Sequence, residues 1–415
     1  MSLFLRVIPA FLAGLTICGC TVTRQSISFL PLCVSSASAS SSQVPVEAKI
    51  VLPEPMRQAL LDEITVTLKE EEGDGVVVPG QLVRADDGTL SLWWVMPEAR
   101  AGGESRWIAA FSRIAKPDSA TFEWENETGR QIDLLFNGTR KLRYVCAYDP
   151  TTEESLQETY KPYYHIFDAK GENLLTKGSG GLYTHHRGLF LGWNRLTLEG
   201  AEYDFWHMKG VVQRHVQVLE QQAGPVLARL KTRIHWDCKE DDPVLVEDRE
   251  VTLFRQELPN LLLLDFRSTL KAVKGDLFLN GDPEHAGFQY RPHNDVAEGK
   301  DDETIRARYL FPSKENDPLK DTDLPWVAMT YGLNGRQYTV QHMNAPGNPE
   351  GTLYSAYRDY GRFGAFCTPA IAAGQTLTLR YRVFIREGDS PDREAMCGRY
   401  SAFVQGPSVE VVSTR

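Results

Sequence analysis

Alternation of apolar and polar residues is the feature that most constrains this chain. From about residue 120 onward it recurs in short segments, and no long stretch before the C terminus has helical spacing. In residues 377–383, Leu377, Leu379, Tyr381 and Val383 share one face of a strand, and polar side chains occupy the other. A period of two predicts antiparallel sheets with one buried and one solvated face. We therefore expect an all-β protein.

The 415 residues are enough for two or three domains. Residues 40–118 hold short strand patterns separated by turns, with a hairpin signal at 86–88, and predict a small β-sandwich. Residues 119–405 predict a large antiparallel β-sandwich. Its end, at about 391–404, has the N-cap and early acidic residues of a short helix, and 406–415 is expected to be a tail.

The first 39 residues have the composition of a targeting segment and linker. Arg6 precedes an apolar run that is too short to span a bilayer stably, and Cys20 closes a lipobox-like sequence. Cleavage after Ala39, before Ser40, is the alternative to lipidation of Cys20. No later run reaches membrane-spanning length. We expect an exported protein, periplasmic or anchored to the membrane by a lipid.

Charge and cysteine usage exclude several classes of partner. A net charge of −10 and no Lys/Arg cluster argue against nucleic acid and anionic lipid as main partners. Cys146, Cys238, Cys367 and Cys397 are far apart and form no CxxC pair, so a structural zinc site is not expected. Disulfides are possible in an oxidising compartment, but we favour buried free thiols.

The densest group of polar and aromatic residues is 183–194, followed by 203–207. If it lies on a strand, His185 and His186 point to opposite faces, and Arg187 shares the face of His185. That face suits an anionic or hydroxyl-rich ligand, and Gly188 lets a ligand approach the backbone. A buried, hydrogen-bonded histidine pair is the structural alternative.

Two later groups have similar chemistry. Residues 280–294 contain Glu284, Gln289 and Arg291 in a passage from loop to strand, where site residues often lie. Residues 341–361 contain His342, Arg358 and Tyr360 among Pro, Gly and Asn. Taken singly, the first group is explained by an exposed polar strand and the second by ordinary turn chemistry.

In order, the segments THHRGLFLGWN, YDFWHMKG, GDPEHAGFQYR and RDYGRFGAF resemble a bacterial family that is labelled "methane oxygenase PmoA" but is a domain of unknown function. The resemblance covers roughly residues 120–405. Thr184 replaces a usual proline, and residues 284–288 replace Glu-Gly-Gly-Phe. The resemblance implies a galactose-mutarotase-like supersandwich and a role in carbohydrate catabolism. A true methane monooxygenase is excluded, because its subunit needs several membrane-spanning helices.

These observations favour a carbohydrate-active enzyme, a lyase, epimerase or hydrolase, with a sugar-derived substrate and neither cofactor nor metal. General acid–base chemistry needs a proton donor and acceptor on either side of the reacting bond. The expected catalytic residues are His185, His186, Glu284 and Asp204. The expected substrate-binding residues are Arg187, Trp193, Trp206, His207, Gln289, Arg291, His342, Arg358 and Tyr360. We expect the catalytic residues, Arg187 and Arg358 to converge on one cleft.

Two alternatives remain open. The first is a non-catalytic, glycan-binding surface protein that uses the same aromatic and arginine side chains. The second is a metal-dependent enzyme, whose ligands would come from His185, His186, His207, His285 and His342. Asp204 and Glu284 are available to support such ligands. The sequence contains no HExxH or HxH spacing, so we rank the metal enzyme below the others.

Overall fold

A computed structural model describes residues 27–36, 39–72, 75–85, 87–113, 120–239 and 241–412. The protein is nearly all β, with 51% of the described residues in strands and 8% in helices, which confirms the expected fold class. Its strands are numbered β1 to β27 along the chain, and every paired set is antiparallel. The lipobox at Cys20 lies outside the described residues.

The N-terminal unit is one seven-stranded sheet in the order β2-β5-β4-β3-β6-β1-β27. Its end strands, β2 and β27, contact each other, so the sheet curls around its own core. The strands are β1 (Ile27–Ser35), β2 (Ser41–Lys49), β3 (Thr65–Glu70), β4 (Val77–Arg84), β5 (Leu90–Ala99), β6 (Glu104–Ser112) and β27 (Ser408–Val411). Two short 3-10 helices, Glu54–Met56 and Leu61–Glu63, precede β3.

The ends of this sheet differ from the boundaries expected from the sequence. Strand β1 lies within the segment assigned to targeting, yet it pairs with β6 from Ile27 to Ser35 and buries Leu32 and Val34. Strand β27 lies in the expected tail and pairs with β1. Alternating side chains in both strands cover the core of the sheet, which is why these end segments fold with it.

The large unit contains two eight-stranded sheets around one hydrophobic core. The first has the order β23-β24-β19-β11-β10-β9-β8-β7. Its strands are β7 (Phe122–Glu127), β8 (Gln131–Phe136), β9 (Thr139–Val145), β10 (Tyr163–Ile166), β11 (Leu189–Trp193), β19 (Ala286–Tyr290), β23 (Leu353–Tyr354) and β24 (Phe363–Phe366).

The second sheet has the order β14-β15-β16-β17-β26-β22-β21-β20. Its strands are β14 (Val212–Ala223), β15 (Leu227–Asp237), β16 (Pro243–Phe254), β17 (Asn260–Ala272), β20 (Arg308–Leu310), β21 (Trp326–Leu333), β22 (Arg336–Asn344) and β26 (Thr376–Glu387). A four-stranded sheet adds β12 (Arg195–Leu198), β13 (Ala201–Tyr203), β18 (Leu277–Asn280) and β25 (Ala370–Ile371).

Three α-helices accompany the sheets: α1 (Glu153–Thr159), α2 (Asn294–Glu298) and α3 (Arg393–Val404). The helix expected at 391–404 is therefore confirmed as α3, with Asp392 as its N-cap. Leu379, Tyr381 and Val383 of β26 enter the core as the alternation predicts. The opposite face is solvated only in its first part, since Arg380 is exposed but Arg382 is buried. Phe384 is buried in a second cluster that includes Met396 of α3 and Val83 of β4.

Candidate functional site

The HHRG segment is a turn before β11 and not part of a strand. The prediction that His185 and His186 point to opposite faces is therefore wrong, because that rule holds only for extended backbone. Their ring centroids lie 4.6 Å apart. A Cβ atom on Gly188 would lie 2.1 Å from the backbone oxygen of Tyr164 in β10. Glycine is needed here for the approach of a protein strand, not of a ligand.

Three histidines from separate segments meet beside this turn. His185 is in the turn itself, His207 is in the loop after β13, and His285 immediately precedes β19. One ring nitrogen from each lies within 4.8 Å of those of the other two. The ring centroids of His185 and His207 are 4.5 Å apart, and those of His207 and His285 are 5.0 Å apart. The pairing of β11 with β19 brings the first and third segments together.

Two of these rings are held by carboxylates three residues earlier in the chain. Nδ1 of His207 lies 2.8 Å from Oδ2 of Asp204, and Nδ1 of His285 lies 2.8 Å from Oδ1 of Asp282. Asn194 donates a hydrogen bond to Asp282 at 2.9 Å. A carboxylate on Nδ1 fixes the tautomer and the orientation of the ring, and it leaves Nε2 for another partner.

Burial favours the neutral form of two of the three histidines, His185 and His285. Burial, with Lys161 nearby, lowers the pKa of His185 to about 2. Burial also lowers the pKa of His285, although Asp282 opposes that shift. Nε2 of His185 is buried and has no hydrogen-bond partner in the described part of the chain. The trio therefore brings ring nitrogens of three histidines together at one point, with Nε2 of His185 unpaired.

Glu284 lies next to the trio but is held by arginines. It accepts hydrogen bonds from Nη2 of Arg358 at 2.8 Å and from the hydroxyl of Tyr357 at 2.9 Å, and it pairs with Nη1 of Arg362 at 2.6 Å. These contacts, with that of Arg362 the strongest, lower the pKa of Glu284 far below its usual range. The side chain is held as an anion, and it forms no hydrogen bond or ion pair with His185 or His186.

Arg187 holds the turn and does not face a ligand. Its side chain is fully buried, with Nη1 donating to the backbone oxygens of Thr184 and His186 and Nη2 to that of Gln157. The guanidinium also lies 5.2 Å from the centroid of the Tyr160 ring. The substrate-binding role expected for Arg187 therefore does not match its contacts. His186 is 4% exposed and stacks on Tyr183.

Arg291 and Gln289 belong to the interior of the site. Nη1 of Arg291 donates to Oε1 of Gln289 at 2.8 Å, and Ser355 donates to the same oxygen at 3.0 Å. The guanidinium lies 5.5 Å from the centroid of the Trp206 ring. Gln289 is thus occupied in positioning Arg291. Burial, with Arg362 nearby, lowers the pKa of Arg291 to about 9.

Three residues expected to bind substrate are core residues. Trp193 is buried and donates to the backbone oxygen of Cys367 at 2.8 Å. Trp206 is buried against Phe190. His342 is buried among Phe288, Tyr354 and Tyr381, and does not join the histidine trio. Aromatic side chains carry large apolar areas, so core packing explains their presence in the sequence pattern.

Tyr360 and Arg358 are nearer the surface. The ring of Tyr360 packs 5.0 Å from that of Tyr183, whose side chain is 43% exposed. On the other side of the trio, His185 and His207 line a cleft of about 850 Å³, together with Tyr160 and Met208. A small molecule in this cleft would lie beside two of the three histidines.

Sequence reasoning did not include His285, Asp282, Arg362 or Lys161 among the main site residues. One signal was available for two of them: the spacing Asp-X-X-His occurs at 204–207 and again at 282–285. Arg362 and Lys161 had no such signal.

The described cysteines are free thiols, and Cys146 and Cys367 among them are buried. This agrees with the favoured alternative for those two.

Within the described residues, no helix is long and apolar enough to cross a membrane. No curated protein matches the chain. A family model described as a family of unknown function (DUF6807) matches residues 131–400, and nothing links it to methane oxygenase PmoA. The match spans more than half of the chain and includes the histidine trio, so this protein belongs to the DUF6807 family.

Proposed function

We propose that this protein is a metal-dependent enzyme whose ion is held by His185, His207 and His285. The observation that carries the proposal is the pair of Asp-X-X-His contacts, which occupy Nδ1 of His207 and His285 and leave Nε2 of both rings for an ion, within a group whose third member, His185, has an unpaired Nε2. Metal-binding histidines commonly donate a hydrogen bond from their other ring nitrogen to a carboxylate in this way. The proposal reverses our ranking from the sequence, because the ligands come from three segments and leave no short motif.

The donor set indicates the class of ion. Neutral imidazole suits zinc, copper, iron and nickel, whereas calcium and magnesium prefer oxygen ligands. Three histidines leave a coordination position open, as in catalytic zinc sites. A zinc ion there would activate a bound water molecule or polarise a substrate oxygen. Asp204 and Asp282 would orient the ligands, and the cleft beside His185 and His207 would admit the substrate.

We further propose that the substrate is a sugar or sugar derivative and that the protein acts after export. The support is the resemblance to a family associated with carbohydrate catabolism and the targeting composition of residues 1–39. A purely glycan-binding role has less support, because Trp193 and Trp206 are buried and present no ring face to a sugar. Glu284 is assigned no proton transfer, since Arg358 and Arg362 hold it as an anion.

Metal titration tests the proposal directly. We expect chelator-treated protein to bind one Zn²⁺ per chain in calorimetry. His207→Gln and His285→Gln should weaken binding by at least about 100-fold, more than the loss of an outer-shell partner does. His235→Gln is the matched control, because this half-buried histidine lies on β15 away from the trio. Melting curves of all variants establish that they are folded.

Absence of stoichiometric Zn²⁺, Cu²⁺, Ni²⁺ and Fe²⁺ binding by the wild type would falsify the proposal. Equal affinity of His285→Gln and the wild type would also contradict it. Catalysis is tested by incubating the metal-loaded and metal-free wild type with mono- and disaccharides, uronates and their keto derivatives. Turnover that is the same in the two forms would argue against a metal-dependent reaction.

A further inference from the structure

Two buried arginines face each other beside the histidine trio. Arg291 directly follows β19, and Arg362 directly precedes β24. Tyr290 pairs with Phe363 in the antiparallel register, so the next residues outward, Arg291 and Arg362, lie on opposing positions. Their exposed fractions are 1% and 2%. Like charges at opposing positions of a sheet repel each other.

Each of the two guanidinium groups has one satisfied and one unsatisfied edge. Nη1 of Arg291 donates to Gln289, and Nη1 of Arg362 pairs with Glu284. Nε and Nη2 of both arginines are buried and have no hydrogen-bond partner among the residues that the structure describes. Nε and Nη2 lie on the same edge of a guanidinium, and such an edge can hold two oxygens of one carboxylate.

The charges around the pair do not balance within the described chain. Arg291 forms no ion pair there, and Glu284 is already shared between Arg358 and Arg362. Lys161 is a further buried basic group, which donates to the backbone oxygen of Trp206 at 2.8 Å, and burial lowers its pKa well below the usual value. A buried charge without a counter-ion is strongly unfavourable. An oxyanion at the free edges would supply both the missing charge and four hydrogen-bond acceptor contacts.

The pair is connected to the rest of the site. The Trp206 ring contacts the Arg291 guanidinium and lies 6.1 Å from the His285 ring. The ring of Tyr360 lies 5.7 Å from the Arg362 guanidinium and contacts the partly exposed Tyr183. These contacts link the arginines to the trio on one side and to the surface on the other.

We propose that Arg291 and Arg362 form a subsite for a carboxylate, so that the substrate of this enzyme is an acidic sugar. This deepens the proposed function and rests on it for the nature of the substrate. From the sequence, Arg291 was expected to bind substrate along with Arg187 and Arg358, but Arg362 was not included and no pairing of two arginines was expected. Both terminal nitrogens of Arg187 donate to backbone carbonyls and only its Nε lacks a partner, and Arg358 is half exposed, whereas Arg291 and Arg362 each leave Nε and Nη2 unpaired in a buried position.

Thermal shifts with matched ligands test the subsite. The probes are acetate, D-glucuronate and the neutral D-glucose at equal concentration and ionic strength. A ligand that binds only the native state raises its melting temperature. We expect both carboxylates to raise that of the wild type, glucuronate by about 2 °C or more, and glucose to leave it unchanged. Arg291→Gln should abolish the response, and Arg291→Lys should reduce it because lysine lacks the two-donor edge.

Arg306→Gln is the control, since Arg306 forms only an exposed ion pair with Glu303 and should keep the full response. If Arg291→Gln does not fold, Arg362→Gln and Arg291→Lys carry the test. No response of the wild type to either carboxylate overturns the subsite, as does a response that persists in the folded Arg291 and Arg362 variants. Measurements with and without Zn²⁺ separate the two proposals: zinc binding without a carboxylate response refutes only the subsite, and the converse refutes only the metal.

Discussion

At the scale of single residues, the repeated Asp-X-X-His contact decides what the site can do. Both aspartates accept hydrogen bonds from backbone amides of their own loops, Asp204 from Trp206 and His207, and Asp282 from Glu284. Each carboxylate is thus fixed before it meets its histidine. Fixed carboxylates orient imidazoles without contacting a ligand themselves, which makes Asp204 and Asp282 positioning residues.

Neutralising either aspartate should weaken metal binding without unfolding the protein. We expect Asp204→Asn and Asp282→Asn to lower zinc affinity by about 10–100-fold, because asparagine keeps the shape but not the charge that fixes the tautomer. Competition with a chromophoric chelator measures the change. Asp248→Asn, which removes a surface pair with Arg233, is the control and should bind zinc normally. Unchanged affinity in both site variants would contradict the assigned role.

Two thiols provide an independent check on burial. Burial raises the pKa of Cys146 to about 11 and that of Cys367 to about 12, whereas Cys397 is exposed on α3. The thiolate is the reactive form, so a raised pKa leaves both buried groups protonated at about pH 8. In the native protein we expect Cys397 to react with a disulfide reagent, and Cys146 and Cys367 to react only after unfolding. Rapid labelling of Cys367 in folded protein, located by mass spectrometry, would be inconsistent with this structure.

At the scale of elements, the strands were easier to predict than the turns between them. The alternation at 377–383 places β26 correctly, because its period follows from strand geometry. The turn at 184–188 was predicted to be a strand. Its conformation depends on hydrogen bonds from Arg187 to the backbone oxygens of Thr184 and Gln157, and the second of these lies far away in the sequence. The burial of Phe384 on the outer face of β26 was also unpredictable locally, because α3 and the N-terminal sheet cover this part of the strand.

The turn depends on the absence of a side chain at Gly188. A methyl group there would contact the backbone oxygen of Tyr164 at 2.1 Å and must push β10 away from the turn. We expect Gly188→Ala to lower stability by about 1–3 kcal/mol and to weaken metal binding through displacement of His185. Denaturant unfolding and zinc titration measure both effects. Gly347→Ala, with open space around its Cβ position, should change neither; wild-type behaviour of Gly188→Ala would refute the argument.

At the scale of the whole molecule, the two ends of the described chain are joined. Residues 408–411 follow the last helix of the large unit and pair with β1 of the N-terminal sheet. Helix α3 packs against β2, and its Met396 and Tyr400 belong to the cluster between the two units. This connection could not be predicted from the sequence, because pairing of distant strands leaves no local pattern.

The position of β1 bears on the two start points expected for a mature chain, Cys20 and Ser40. A chain beginning at Ser40 lacks β1, so β27 loses its partner and β6 becomes an edge. Loss of Leu32 and Val34 from the core costs about 1.5–3 kcal/mol each. We expect a chain beginning at Cys20 to fold, and one beginning at Ser40 to melt at a lower temperature or to aggregate. Equal melting temperatures would remove this argument for processing at Cys20.

The pairing of β1 with β27 also sets an order of events during synthesis. Strand β1 emerges early from the ribosome or the export channel, but its partner at 408–411 emerges only after the whole DUF6807 region. Until then, the edge of β1 that will receive β27 stays open, and unpaired edges invite association with other chains. The N-terminal sheet therefore begins to form first and is completed last. We expect the chain to need a chaperone most in the interval between the emergence of β1 and that of β27.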